Sequence, residues 1–220
     1  MANFIPSRQL PPQQPQSETG NRRGDRPHDR PGEGGFFSDD ERGKVLFGVT
    51  SFLISESLIF LAFIVAYTAL RLSSANWLPP GVSPPKLESS TIIDSVVLLS
   101  SSLVIYLAER ALARRQLNRF RLLWLTTSAM GAYFLVGEVQ DWLKQELKLS
   151  TGEIGGGFYI ITGFHALHVT AGILLQTIML VRSFIPHNYD RDHYGVTAVS
   201  LFWHFVDGIW VVVFSLFYLW

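Results

Sequence analysis

The sequence predicts an all-α integral membrane protein, a bundle of five transmembrane helices with its N-terminus in the cytoplasm and its C-terminus outside. Three observations lead there. Hydrophobic residues make up 48% of the chain and charged residues only 16%. The apolar residues gather into five long runs, each close to the roughly 20 residues that a spanning helix needs. Lys and Arg alternate in density between successive connections, with fourteen of the eighteen on one side, and the positive-inside rule makes that side cytoplasmic. In lipid every backbone polar group must be satisfied internally, so continuous apolar runs of this length are helices.

The chain opens on a polar arm, residues 1–40, containing Pro-Pro-Gln-Gln-Pro-Gln and Gly-Glu-Gly-Gly. It has too little apolar surface to offset the entropy of ordering, so a disordered cytoplasmic arm is expected, with a docking peptide as the functional alternative. No apolar core precedes Phe36, so no cleavable signal is expected. The membrane domain, 41–220, carries spans at about 45–70, 92–108, 122–139, 155–181 and 196–220. The second and third runs are short and are expected to extend into their polar flanks. Between the first two spans, Trp77-Leu-Pro-Pro-Gly-Val-Ser-Pro-Pro-Lys86 is stiffened by proline. It is either a surface stop or a fixed contact with a partner. Trp77, Trp142 and Trp220 fall where an aromatic belt would place them. Gly131, Gly137, Gly163 and Gly172 suit close helix approach. Gly155-Gly-Gly157 reads as the lead-in to the fourth helix, since no Lys-Ser/Thr follows to make a phosphate cradle.

Composition excludes several function classes. Formal net charge is zero, which gives no basis for binding nucleic acid, and mean hydropathy is +0.22. The chain has no cysteine, so disulfides, thiolate metal sites and Cys nucleophiles are all absent.

Glu56, His165, His168, His204 and Asp207 are ionisable groups inside the apolar runs. Ionised side chains at a helix centre cost about 2.5–3.5 kcal/mol each on insertion scales, so they are expected to face a protein interior. At about 1.5 Å per residue, Glu56, His168 and Asp207 come to one layer, roughly 17–20 Å from the inner ends of their helices. His165 lies a turn further out and His204 about a turn further in. His165/His168 and His204/Asp207 are each three residues apart, so each pair shares a helix face. The five are expected to form one buried polar cluster. Three roles are open to it: holding helices together at about 0.6–2 kcal/mol per bond, moving or storing protons, or binding a metal or haem. Di-iron bundles need Glu-x-x-His motifs, which no helix here carries. Phe164, Phe202 and Phe205 crowd the space that a bis-histidine haem needs. Glu138 and Asp141, near the outer end of the third span, are expected as interfacial charge. His187 and His193, in the basic loop before the fifth span, are candidates for collecting protons, with helix capping the alternative for His193.

Gly163-Phe-His-Ala-Leu-His-Val169 with Gly172, then His193-Tyr-Gly195, then Trp203-His-Phe-Val-Asp207 and Trp210, resemble the last two helices of subunit III of the haem-copper oxidases. Ser55-Glu56 with Phe60 is similar to the carboxylate-bearing helix of that subunit, and Asn76-Trp-Leu-Pro-Pro-Gly81 to its proline-rich outer loop. Gly131-Ala-Tyr-Phe134 through Asp141-Trp142 resembles a further helix. The likeness covers about residues 36–220. Longer members have seven helices, and this chain lacks the first two, which form one arm of a lipid-filled cleft. Asp141 stands where the family usually has Glu.

The resemblance implies a non-catalytic subunit of a cytochrome c oxidase that reduces oxygen to water with proton pumping. Haem and copper are then expected in partner subunits and no redox cofactor in this chain, with bound phospholipid in addition. Oxidase subunit I is the main implied partner, with subunit II in the complex. The implied role is to stabilise subunit I, support proton uptake and hold lipid, in a bacterial-type energy-transducing inner membrane. A quinol oxidase subunit and the accessory protein of nitric oxide reductase are alternatives within the family. Outside it stand a proton-coupled transporter and a di-haem membrane cytochrome. The inverted repeats and broken helices of many transporters are not found in the sequence.

Overall fold

A computed structural model describes Phe36–Trp220, apart from residues 75–76, 79–80, 82, 146, 150, 186–188 and 190–192, with side chains described from residue 43 onward. Residues 1–35 of the sequence-defined arm lie outside the described residues. Asp39–Trp220 form one compact unit.

The described residues form five α-helices: α1 (Phe36–Ser73), α2 (Ser89–Ala113), α3 (Leu117–Lys144), α4 (Gly152–Arg182) and α5 (Tyr194–Phe214). A π-helical turn, Ser215–Leu219, continues α5. All five are long and apolar enough to cross a membrane. α2 and α3 reach 25 and 28 residues, extending into polar flanks as expected. One boundary needs correction. Residues 36–40, assigned to the arm from composition, already belong to α1. Acidic residues at 39–41, close to the start of this helix, are favoured there by its dipole.

Contacts define the two ends of the bundle. At one, Arg121 near the start of α3 donates to the Ser183 carbonyl after α4, and Gly195 at the start of α5 packs on Met179. At the other, Ser74 after α1 donates to Glu153 at the start of α4, 2.8 Å away. There Arg71 also donates to the Trp220 carbonyl and lies 4.2 Å over its ring. α2, α3, α4 and α5 pack side by side as a closed ring, α2 against α3 most extensively. α1 keeps its backbone further off and touches the ring through long side chains. Leu53, Phe60 and Tyr67, spaced two turns apart, are its buried stripe. Its opposite face, including Phe47, Leu58 and Leu61, is exposed.

This stand-off leaves a cavity of about 430 Å³ between α1, α4 and α5, walled by Val49, Phe52, His168, Leu175, Met179 and Phe202 among others. Gly155 and Gly157 lie within the first two turns of α4, so the glycine run sits just inside the helix rather than before it. Gly157 leaves room for the Tyr67 ring of α1.

Gln116 N–H to Ala111 O (2.9 Å) and Arg115 N–H to Leu112 O (2.8 Å) close the end of α2 as a Schellman turn, with Arg115 at φ 59°. Glycine is the usual residue there. Arg115→Gly is therefore expected to stabilise the fold by about 1 kcal/mol, read as a higher thermal midpoint in detergent. A lower midpoint would show that contacts of the arginine outweigh its backbone strain.

Candidate functional site

His165, His168 and Asp207 are buried and Glu56 and His204 half-buried, but the five do not make one cluster. The structure divides them into two hydrogen-bonded groups and one isolated ring.

Glu56 of α1 meets His168 of α4, with Nε2 3.2 Å from Oε2. His168 Nδ1 lies 2.8 Å from the Phe164 carbonyl one turn back. That carbonyl can only accept, so Nδ1 carries a hydrogen. The contact between Nε2 and Oε2 then needs one further hydrogen, on the imidazole or on the carboxyl. Either placement leaves the pair with zero net charge, which is the form that a membrane interior tolerates. Phe60 and Phe164 stand edge-on to the His168 ring.

Asp207 and His204 of α5 are joined through Ser102 of α2. The Ser102 hydroxyl donates to Asp207 Oδ2. His204 Nδ1 is 3.1 Å from Ser102 Oγ. A hydroxyl has one hydrogen, so with Ser102 donating to Asp207, His204 must donate through Nδ1. The reversed chain, with a protonated Asp207 donating to Ser102 and Ser102 to His204, uses the same atoms. The three side chains are thus a short relay running from a buried carboxyl outward to an imidazole.

His165 is separate. It is fully buried and neither ring nitrogen has a hydrogen-bond partner. It stacks on Trp210 at 4.9 Å, and Phe134 stands edge-on to it at 5.9 Å. Among the described residues no group of three or more His, Cys, Asp or Glu converges as a metal site.

Glu138 and Asp141 depart from the interfacial reading: they are 3% and 4% exposed. Asp141 Oδ2 accepts from Thr91 at 2.6 Å, and Glu138 Oε1 from the Trp142 indole at 2.9 Å. Lys144 lies 3.8 Å from Asp141. A third buried carboxylate, Asp94 of α2, completes this group and pairs with Tyr133. Sequence reasoning missed it, although an acid inside Ile92-Ile-Asp-Ser-Val-Val97 is the same signal that marked Glu56.

His187 lies outside the described residues. His193 is the N-cap residue of α5, and its side chain makes no capping hydrogen bond; only its carbonyl starts the helix, accepting from Val196 at 2.9 Å. Beside it, Tyr189 donates to the Met179 carbonyl at 2.8 Å, and burial raises its pKa above that of an ordinary phenol.

Indoles tie the ring of helices together: Trp203 donates to Ser101 (2.8 Å), Trp210 to Ser95 (3.0 Å) and Trp124 to the Gln176 carbonyl (2.8 Å). The serines and Gln176 also escaped the sequence reading.

A sequence model of the family described as cytochrome c oxidase subunit III matches residues 36–220. The chain belongs to the cytochrome c oxidase subunit III family. "Cytochrome c oxidase subunit 3" of Synechocystis sp. is 40% identical over 176 residues, 79% of this chain and 75% of that one. The protein of the same name from Thermostichus vulcanus is 39% identical over 173 residues, 78% and 85% of the two chains. That of Homo sapiens is 29% identical over 179 residues, 79% of this chain and 69% of the human one. As a subunit III family member with five apolar helices, the chain is a multi-pass integral membrane protein of an oxidase complex.

The Glu56–His168 pair makes a test of charge against shape. Glu56→Gln keeps a hydrogen for Nε2 and should change stability little. Glu56→Leu leaves His168 Nε2 unpaired and should cost about 1–3 kcal/mol. Thermal unfolding in detergent separates them, and equal losses for both variants would refute the pairing.

Proposed function

We propose that the chain is the non-catalytic subunit III of a terminal oxidase that transfers electrons from cytochrome c to oxygen, with the haem and copper centres in partner subunits. The observation that carries this reading is the family match across residues 36–220, which takes in the Glu56–His168 pair and the Asp207–Ser102–His204 relay together. Subunit I is the main partner and subunit II shares the complex. The end of the bundle bearing Arg110, Arg114, Arg119 and Arg121 faces the cytoplasm of an energy-transducing bacterial membrane. From there the subunit supports proton uptake into subunit I.

The same reading gives the cavity between α1, α4 and α5 to a phospholipid. Its lining is almost wholly apolar, and along α4 it runs from His168 to Met179, a length of about 16 Å, which suits an acyl chain. Affinity purification of the tagged chain in mild detergent tests the proposal. Co-purification with subunits I and II, with haem absorbance in the complex and phospholipid extracted from it, is the expected result. Isolation without partners, or Soret absorbance in the separated chain, would overturn it.

A further inference from the structure

Lipid offers no partner for a polar side chain at mid-membrane, so each such group must be satisfied within protein. Most lipid-facing groups here comply. Ser55, Ser100, Thr126, Thr170 and Thr177 donate to carbonyls three or four residues back on their own helices. The exposed Tyr133 pairs with Asp94.

His204 does not comply. It is half-buried in the seam between α2 and α5, ten residues into α5, about 15 Å from the start of that helix. Its Nδ1 is engaged by Ser102. Its Nε2 makes no hydrogen bond among the described residues. In one direction of the Asp207–Ser102–His204 chain Nε2 is a bare acceptor, and in the other it is a donor. Either way a hydrogen bond is left open on the outer face of the bundle.

The surface around it is shaped for close approach. Gly208 lies one turn further along α5, and a Cβ there would meet nothing within 4 Å. Leu103 and Leu201 are exposed beside it. The mid-helix face of α1, by contrast, exposes Leu58 and Leu61, and its Ser55 and Ser57 hydroxyls bond to carbonyls of their own helix.

The geometry points to the α2–α5 face as the surface on which another subunit of the oxidase docks, through a transmembrane helix that brings a hydroxyl, carboxamide or main-chain group to His204 Nε2. This rests on the subunit III reading. A second copy of this chain is the competing occupant: about an axis along the membrane normal His204 would meet His204 at equal depth, and the pair would bond only if the two chains of hydrogen bonds ran in opposite directions.

The test uses the full chain within its complex, with the photo-crosslinking residue benzoylphenylalanine at Leu103 or Leu201, and at Leu61 on the outer face of α1. Leu103 and Leu201 are expected to capture another oxidase subunit, and Leu61 only lipid. Capture of lipid or of a second copy from Leu201, or capture of the subunit from Leu61 alone, overturns the assignment. A companion pair reads the hydrogen bond. His204→Leu should lower retention of the chain in the purified complex about threefold, the factor that one interhelical bond of about 0.6 kcal/mol corresponds to. His204→Gln should restore it. Equal retention of both, or equal loss, counts against the proposal. If the unmodified chain purifies with no oxidase subunit, the subunit reading itself fails; if subunits are present but crosslink elsewhere, only the docking face fails.

Discussion

Gly172→Leu is expected to prevent the ring of helices from closing. The Trp203 indole lies between α3 and α4 with no free space on either side. A Cβ at Gly172 would sit 2.7 Å from its Cε3, and one at Gly131 would sit 2.5 Å from its Cη2. The indole N–H is held by Ser101 of α2, so the ring cannot swing away without breaking that bond. Overpacking of this kind costs about 1–3 kcal/mol, more when the obstructing group is rigid on both sides. Trp203→Ala fails in the opposite sense: it empties a fully buried site, and about 3–5 kcal/mol should be lost. Gly163→Ala is the control, since its nearest neighbour is a Trp142 atom 3.9 Å away. Yield and thermal midpoint of the purified complex should fall for Gly172→Leu and Trp203→Ala and stay unchanged for Gly163→Ala. Similar midpoints for Gly172→Leu and Gly163→Ala would remove Trp203 from the centre of the packing.

The spans were legible because hydropathy over twenty residues is a strong signal that local detail does not blur. For one pair depth was legible too, since a fixed rise per residue placed Glu56 level with His168, which it meets. Angle was not. Whether two side chains at equal depth meet depends on helix rotation, and five helices allow many rotations. Hence Glu56 finds His168, Asp207 and His204 both find Ser102, and His165 turns toward Trp210. Ser102 could not be singled out for a different reason. Serines in apolar helices commonly bond to their own backbone, as Ser100 does, and nothing in Leu99-Ser-Ser-Ser-Leu103 separates the bridging serine from its neighbours. The glycines were read as sites of close helix approach. At Gly131, Gly137 and Gly172 the space is taken by a side chain, either Trp203 or Asp94. Sequence shows that room is needed, not what fills it. Glu138 and Asp141 were placed at the interface because charge near a helix end is usually solvated. Thr91 and Trp142 instead let them be buried with their hydrogen bonds made.

Asp94 supplies a coupling that sequence alone does not suggest. Its carboxylate fills the space beside Gly137, where a Cβ would lie 2.6 Å from Asp94 Cγ. Gly137→Ala should therefore destabilise the protein by about 1–3 kcal/mol, despite being the smallest change possible at a helical glycine. Asp94 also lies near a second buried carboxylate, Asp141, and like charges at such a site repel. Asp94→Thr relieves that repulsion and removes the obstruction, at the loss of the contact with the exposed Tyr133. Its own effect is expected to be small, within about 1 kcal/mol. The double variant Gly137→Ala/Asp94→Thr should then recover most of the stability that Gly137→Ala loses. The interaction energy of the cycle falls in the range of about 0.5–3 kcal/mol expected for residues in contact. Thermal midpoints of the four proteins, measured in the same detergent, decide the matter. Additive losses would mean that the carboxylate moves aside freely, and that the pairing of α2 with α3 does not depend on how Asp94 is seated.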